Sequence, residues 1–341
     1  MSSTLTTALK IIGVIIGILV LYFIRDVVGY VLLAFVFASA LKPGVDLLEK
    51  KKIPRALSAI LIFLLFLVFF SCISYLVFPP LINEIQNFIS SFPQYWQNFL
   101  DWLPQFEEWT TQVPFGKNIE STISQSIQGL SKAIGSAFGA IYNFFGKTFD
   151  LFFVLITAFY LVVEKNIAEK FVNFFFKENE KAQKKILRYW QLAEKQAGRW
   201  LQGYIFLGII VGMLVYAGLY ILGVKYSLVL AVLAGTLEII PFFGPVFAGI
   251  FGLFLAFFQG GWILALWTVF VFFIIQQLEN YLIVPLIMKD RVDLNPLLTI
   301  LVLFIGGRIG GFLGMILSVP LMAIFIALWK EKKNIDSRPS I

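Results

Sequence analysis

The chain has 341 residues, 59% of them hydrophobic and 14% charged, with a net charge of +7. That balance excludes an ordinary soluble domain and predicts an all-α polytopic membrane protein; the surplus bases lie in loops between apolar runs, as positive-inside topology requires, and form no aromatic-laced nucleic-acid surface. With no histidine, a single cysteine (Cys72) and no GxxxxGK[ST] loop, zinc, Ser-His, Cys-His and ATP-hydrolysing chemistry lack their residues, so neither an enzyme nor a cofactor is expected and any transport draws on an existing gradient.

In chain order, residues 1–78 read as N-terminal membrane helices. Apolar runs at 8–24 and 27–41 are separated by Arg25 and Asp26, which suits a tight helical hairpin with the charges at the interface. The tripeptide Ala38-Ser39-Ala40 has the form of a signal cleavage site, but an apolar run already precedes it and lysines follow, which favours a retained segment. A loop over 42–55 carries Lys42, Lys50, Lys51, Lys52 and Arg55 and belongs inside the cell. A span over 57–78 then ends at Pro79 and Pro80.

Residues 79–147 form the one large external excursion, with three bases against five acids. Phe88, Phe92, Tyr95, Phe99, Trp102 and Phe106 recur at helical spacing, as do Ile119, Ile123, Ile127, Leu130 and Ile134. Two amphipathic helices follow from this, packed on each other, on lipid or on a neighbouring subunit, with Pro93 and Pro104 against one unbroken helix. A membrane helix over 148–163 returns the chain to a cytoplasmic basic amphipathic region, 164–200, which carries nine bases.

Residues 201–329 look like a transport core built twice. A span at 201–222 precedes the overlong apolar segment 226–258. As one straight helix that segment would run about 50 Å, against a hydrocarbon core of about 30 Å. It carries an acid, Glu238, and then the helix breakers Pro241, Gly244 and Pro245. A second span, 262–287, precedes a second overlong segment, 297–328, interrupted by Gly306, Gly307, Arg308, Gly310 and Gly311. Paired broken segments are the sequence pointer to a transport site, because unwound backbone offers groups to a ligand at membrane depth. If both broken segments cross, there are eight spans; if both are re-entrant hairpins, there are six and the units are inverted repeats. Either way both termini, including the tail 330–341, are cytoplasmic.

Several stretches resemble the AI-2E family of transporters. They are LKPGVDLLEKKKIPRALS, FYLVVEKN, the long run from YWQLAEKQAGRWLQGYIF to AGTLEIIPFFGP, QQLENYLIVPLIMKDRVDLNPLLTILVLFIGG and GFLGMILSVPLMAIF. The resemblance covers nearly the whole chain and implies a cell-membrane exporter or permease that forms homo-oligomers. Its named class releases the quorum-sensing molecule autoinducer-2, and other members resemble sodium/proton antiporters. The motif positions it carries over are Pro241, Gly244, Pro245, Glu279, Asn280, Pro285, Pro296, Gly306, Gly307, Gly314 and Pro320. Arg308 departs from the pattern, where an apolar or small residue is expected.

The candidate pathway residues are therefore Glu238, Pro241, Gly244, Pro245, Gln276, Glu279, Asn280, Gly306, Gly307, Arg308, Gly310 and Gly311. Intramembrane ionisable groups normally face a cavity or a partner. Glu238 reads as a proton or cation relay, a substrate ligand, or a structural carboxylate paired with Arg308. Glu279 shares a helix face with Gln276 at i−3, which suits either a pathway or hydrogen bonding between helices. The expected partners are the lipid bilayer and a small polar solute, with a proton or sodium ion in the antiport reading. A membrane scaffold is the alternative outside transport.

Overall fold

Apolar runs in lipid must satisfy every backbone N–H internally, which only helices or closed barrels achieve. The computed structural model describes Ile12 and residues 23–102, 148–177, 179–241, 243–287 and 295–336, and among them every regular element is helical. In order these are α1 (Arg25–Lys50), α2 (Arg55–Trp102), α3 (Thr148–Val163), α4 (Ile167–Phe175), α5 (Glu180–Ile221), α6 (Ser227–Leu237) and α7 (Phe243–Leu278). A π-helical turn (Glu279–Ile283), α8 (Val284–Ile287) and α9 (Pro296–Asp336) complete the described chain. Five helices are long and apolar enough to cross a membrane, and α3 with α4 forms a further apolar pair bent by 85°. Large apolar side chains stay exposed along them, among them Leu65 and Phe69 of α2, Ile263 and Leu266 of α7, and Phe304 and Ile309 of α9. In a multi-pass membrane protein such side chains face lipid.

The chain divides into two compact units, with boundaries at Leu64/Leu65, Thr148, Gln202/Gly203 and Lys289/Asp290. The first contains α1, the start of α2, α3, α4, the first half of α5, and α9. Its centre is α1, which buries Ala34, Val36, Ala38, Ser39, Ala40 and Val45. The Tyr30 hydroxyl donates to Asp150 of α3 at 2.6 Å. Arg55 donates to the Val162 carbonyl, at the other end of α3, and to Asp46 and Glu49 of α1. Residues 42–50, expected in a loop, are helical. Pro43 sits inside α1 and removes the bond that the Ser39 carbonyl would accept. Gly198 of α5 packs against that oxygen so closely that a Cβ there would lie 2.3 Å from it. Gln202 donates to the neighbouring Ala40 carbonyl at 2.7 Å. Two bases of the stretch are likewise engaged: Lys42 pairs with Glu194 at 2.6 Å and Arg55 with Asp46 and Glu49 at 2.8 and 2.7 Å.

The helix α2 continues through Pro79, Pro80 and Pro93 to Trp102, where a break was expected. Its 48 residues correspond to about 72 Å, more than twice the hydrocarbon thickness. A proline deletes one bond of the ladder and leaves those on either side intact, so a long helix can run through it. The expected aromatic helix is thus helical up to Trp102; the remainder of the external excursion (103–147), residues 8–11 and 13–22 of the first apolar run, and the end of the tail lie outside the described residues.

Two of the long apolar helices are not single rods. In α7, Gly260 (φ −136°, ψ 17°) and Gly261 (φ 66°, ψ −160°) break the helix, and in α9, Gly310 (φ −129°, ψ 19°) and Gly311 (φ 58°, ψ −139°) do the same. The second glycine of each pair takes a positive φ that other residues adopt only with strain. In α9 the rods double back, since a Cβ on Gly306 would lie 2.4 Å from the Gly314 carbonyl.

Candidate functional site

The second unit holds the first broken segment. In it, α6 runs up to Leu237, the chain turns over residues 238–241, and the first rod of α7 runs back beside α6: Gly252 lies against Leu230, and Gly244 against the Ala234 carbonyl. At the mouth of this hairpin the Gln259 side chain ties the two strands of chain together. Its amide donates to the Gly223 carbonyl at 2.6 Å and its oxygen accepts from the Lys225 N–H at 2.8 Å. Gly261 then turns the chain so that the second rod packs on the first, with Thr268 and Phe272 against Gly252. The segment 226–258 therefore doubles back.

Small residues set the position of the tip. Gly208 and Gly235 hold α5 and α6 together backbone to backbone; a Cβ on either would lie within 2.4 Å of the other's carbonyl oxygen. Gly212 lies against the Ala231 carbonyl one turn away. Such close approach is how helices associate in lipid, where apolar side chains gain nothing by leaving the solvent. It leaves Glu238 at the end of α6, 1% exposed. A Cβ on Gly244 would lie 2.7 Å from Glu238 Oε2, so Gly244 is the space that this carboxyl occupies. Pro241 and Pro245 are buried around it. The start of α7, with the partial positive charge of a helix N-terminus, adjoins the same oxygen.

Glu279 completes the site. It is 6% exposed and comes from the second rod, at the start of the π-helical turn, in which the Val284 N–H donates to the Glu279 carbonyl five residues back. Pro285 explains the wide turn: its ring displaces the carbonyl four residues earlier and it has no N–H to offer. The Glu238 and Glu279 carboxyls lie within interaction range of one another, while Glu238 Oε2 has no partner among the described residues. Gln276 donates to Glu279 Oε2 at 3.4 Å and to Asn280 Oδ1 at 3.5 Å, both long and therefore weak. Gln276 is half-buried and Asn280 exposed.

Two ionised carboxylates facing one another in a site closed to water repel, a state that a proton or a bound cation relieves. The arrangement can therefore bind a proton, or exchange it for a small cation.

Of the predicted site residues, the structure gathers Glu238, Pro241, Gly244, Pro245, Gln276 and Glu279 in this unit, with Asn280 at its edge. Gly306, Gly307, Arg308, Gly310 and Gly311 belong to the bend of α9 in the first unit, where Arg308 is exposed. Within this unit, the charged neighbour of Glu238 is Glu279. Gly208, Gly212, Gly235 and the Gly260–Gly261 bend were not anticipated. Glycines four apart in facing apolar runs are the signal that could have found the first three.

The AI-2E transporter family pattern matches residues 11–334. The chain belongs to this family. It is 30% identical over 323 residues to the candidate transport protein YueF of Bacillus subtilis (strain 168), covering 90% of this chain and 84% of that one. A second relative from the same organism, the candidate transport protein YrrI, is 25% identical over 290 residues, covering 83% and 80% of the two chains. The candidate permease PerM of Escherichia coli (strain K12) is 31% identical over 140 residues, covering 41% and 40%. Together with its apolar helices, this makes the AI-2E family chain a multi-pass membrane transporter.

Proposed function

We propose that this AI-2E family protein is a secondary transporter that moves a small polar solute out of the cell, with proton binding at the Glu238–Glu279 pair coupling the movement to a cation gradient. The two buried, neighbouring carboxyls carry the reading. A carboxyl pair at a hairpin tip that gains and loses a proton has two states that differ in charge, and charge is what a cation gradient acts on. The hairpin offers a substrate the unwound backbone just after α6. Autoinducer-2 or a molecule of similar polarity is the cargo that the family suggests, and sodium is the alternative coupling ion. The distribution of basic segments supports a location in the cell membrane with the termini inside.

The test is purified protein in vesicles loaded with a pH-sensitive dye. Under an imposed proton gradient, addition of solute or sodium to wild type releases protons, and Glu238→Gln and Glu279→Gln abolish the release. Solute flux that ignores the gradient and survives both substitutions would show a facilitative permease and overturn the coupling.

A further inference from the structure

The helix α4 has no part in the carboxyl site, and its surface is divided in an unusual way. Around its axis Phe171, Phe174 and Phe175 fall on one side, Glu169 and Asn173 on the opposite side, and Lys170 on the flank beside Phe174, because residues three and four apart share a face. The edge between them holds the buried Val172. The three phenylalanines are 62%, 78% and 60% exposed. Their rings touch one another, Phe171 to Phe175 at 4.8 Å between centroids and Phe174 to Phe175 at 5.1 Å. Phe176, just past the helix, is also exposed.

Three observations say what covers this face. First, α4 leaves the apolar helix α3 at 85°. A helix that turns through a right angle at the end of a membrane span lies in the plane of the membrane surface. Second, the polar Glu169 and Asn173 oppose the phenylalanines, with Lys170 on one flank and the protein-facing Val172 on the other. That is the division required of a helix whose one side sinks into the acyl boundary while the other meets water. Third, the chain beyond it carries exposed Lys177, Lys181, Lys184 and Lys185, a density of bases that draws anionic headgroups at about 1 kcal/mol for each base near the surface.

We infer that α4 is an in-plane membrane anchor, with the Phe171–Phe174–Phe175 face immersed at the headgroup boundary of a leaflet rich in anionic phospholipid. The anchor fixes the height at which α3 ends. It also fixes the polar cavity of about 80 Å³ that α4 helps to wall through Ile167, Ala168 and Glu169, opposite Lys42 and Glu194.

The experiment uses the full chain in lipid nanodiscs, with Cys72→Ser removing the native thiol and a nitroxide label placed singly by Phe174→Cys, Phe171→Cys or Asn173→Cys. Collision with oxygen reports acyl chains, and collision with a water-soluble nickel chelate reports water. The expected result is several-fold higher oxygen than nickel access at positions 171 and 174, and the reverse at 173. The labels at 171 and 174 should shift deeper when phosphatidylglycerol replaces phosphatidylcholine. A background with Lys177, Lys181, Lys184 and Lys185 changed to Gln should lose that shift. High nickel access at all three positions would mean a solvated helix and overturn the proposal. Low access to both reagents at 171 and 174 would mean a protein partner, such as a second copy of the chain, and overturn it equally. Immersion identical in the two lipids would overturn the anionic preference.

Discussion

The break after α6 and the bend of α9 interrupt two overlong apolar segments of similar length, yet they are different devices. Residues 238–241 form a turn beside a buried carboxyl, and Gly244 is there to make room for it. At Gly310–Gly311 no atom of the described residues approaches within 4 Å of either glycine's missing Cβ, and the neighbouring charge, Arg308, is exposed. The backbone counterpart of Gly310–Gly311 is Gly260–Gly261, whose four dihedral angles differ from it by no more than 21°. Even these twins pack differently. Across the α9 bend the two rods touch backbone to backbone at Gly306 and Gly314, whereas across the α7 bend Gly249 and Gly252 face the ring of Phe272. A helix breaker says only that the chain turns, and the residues one or two helical turns away decide whether the turn encloses chemistry or merely closes a hairpin.

The largest effect that separates the two devices is functional. Glu238→Gln or Glu279→Gln should remove gradient-driven proton movement altogether while the protein still folds, whereas Arg308→Gln should leave coupling in place; proton release from dye-loaded vesicles reads all three. Gly244→Ala should come next, because its methyl would collide with Glu238 Oε2 and the Ala234 carbonyl. Overpacking of this kind costs about 1–3 kcal/mol and here displaces a carboxyl, so thermal stability in detergent and proton release should fall together. Gly311→Ala should destabilise by about 1–2 kcal/mol through its positive φ alone, with coupling retained. Gly310→Ala, with an ordinary φ and open space, should change stability by less than about 0.5 kcal/mol. Equal melting shifts for these two alanine variants would sink the account of the bend.

The sequence showed much of the first device and little of the second. Helical class, the acid beside the break and the Gln276–Glu279 register all follow from apolar run length and i, i+3 spacing. Proximity of Glu238 to Glu279 does not, since it depends on Gly261 reversing the chain, and a Gly-Gly pair inside an apolar run reads equally well as close packing. Of the roles open to Glu238 in the sequence, the relay or ligand reading is the one for which its own unit supplies a second carboxyl, Glu279. The loop predicted at 42–55 failed because lysines count as loop markers only when solvated, and Lys42 is held inside a helix by Glu194.

The Gln259 clasp has a mechanical consequence. A carboxamide on one limb of the hairpin mouth, gripping the other limb twice, once as donor and once as acceptor, works like a buckle. Strain entering the hairpin from that end is carried across both limbs at once. Displacement is then left to the far end, where the turn after α6 provides the compliance.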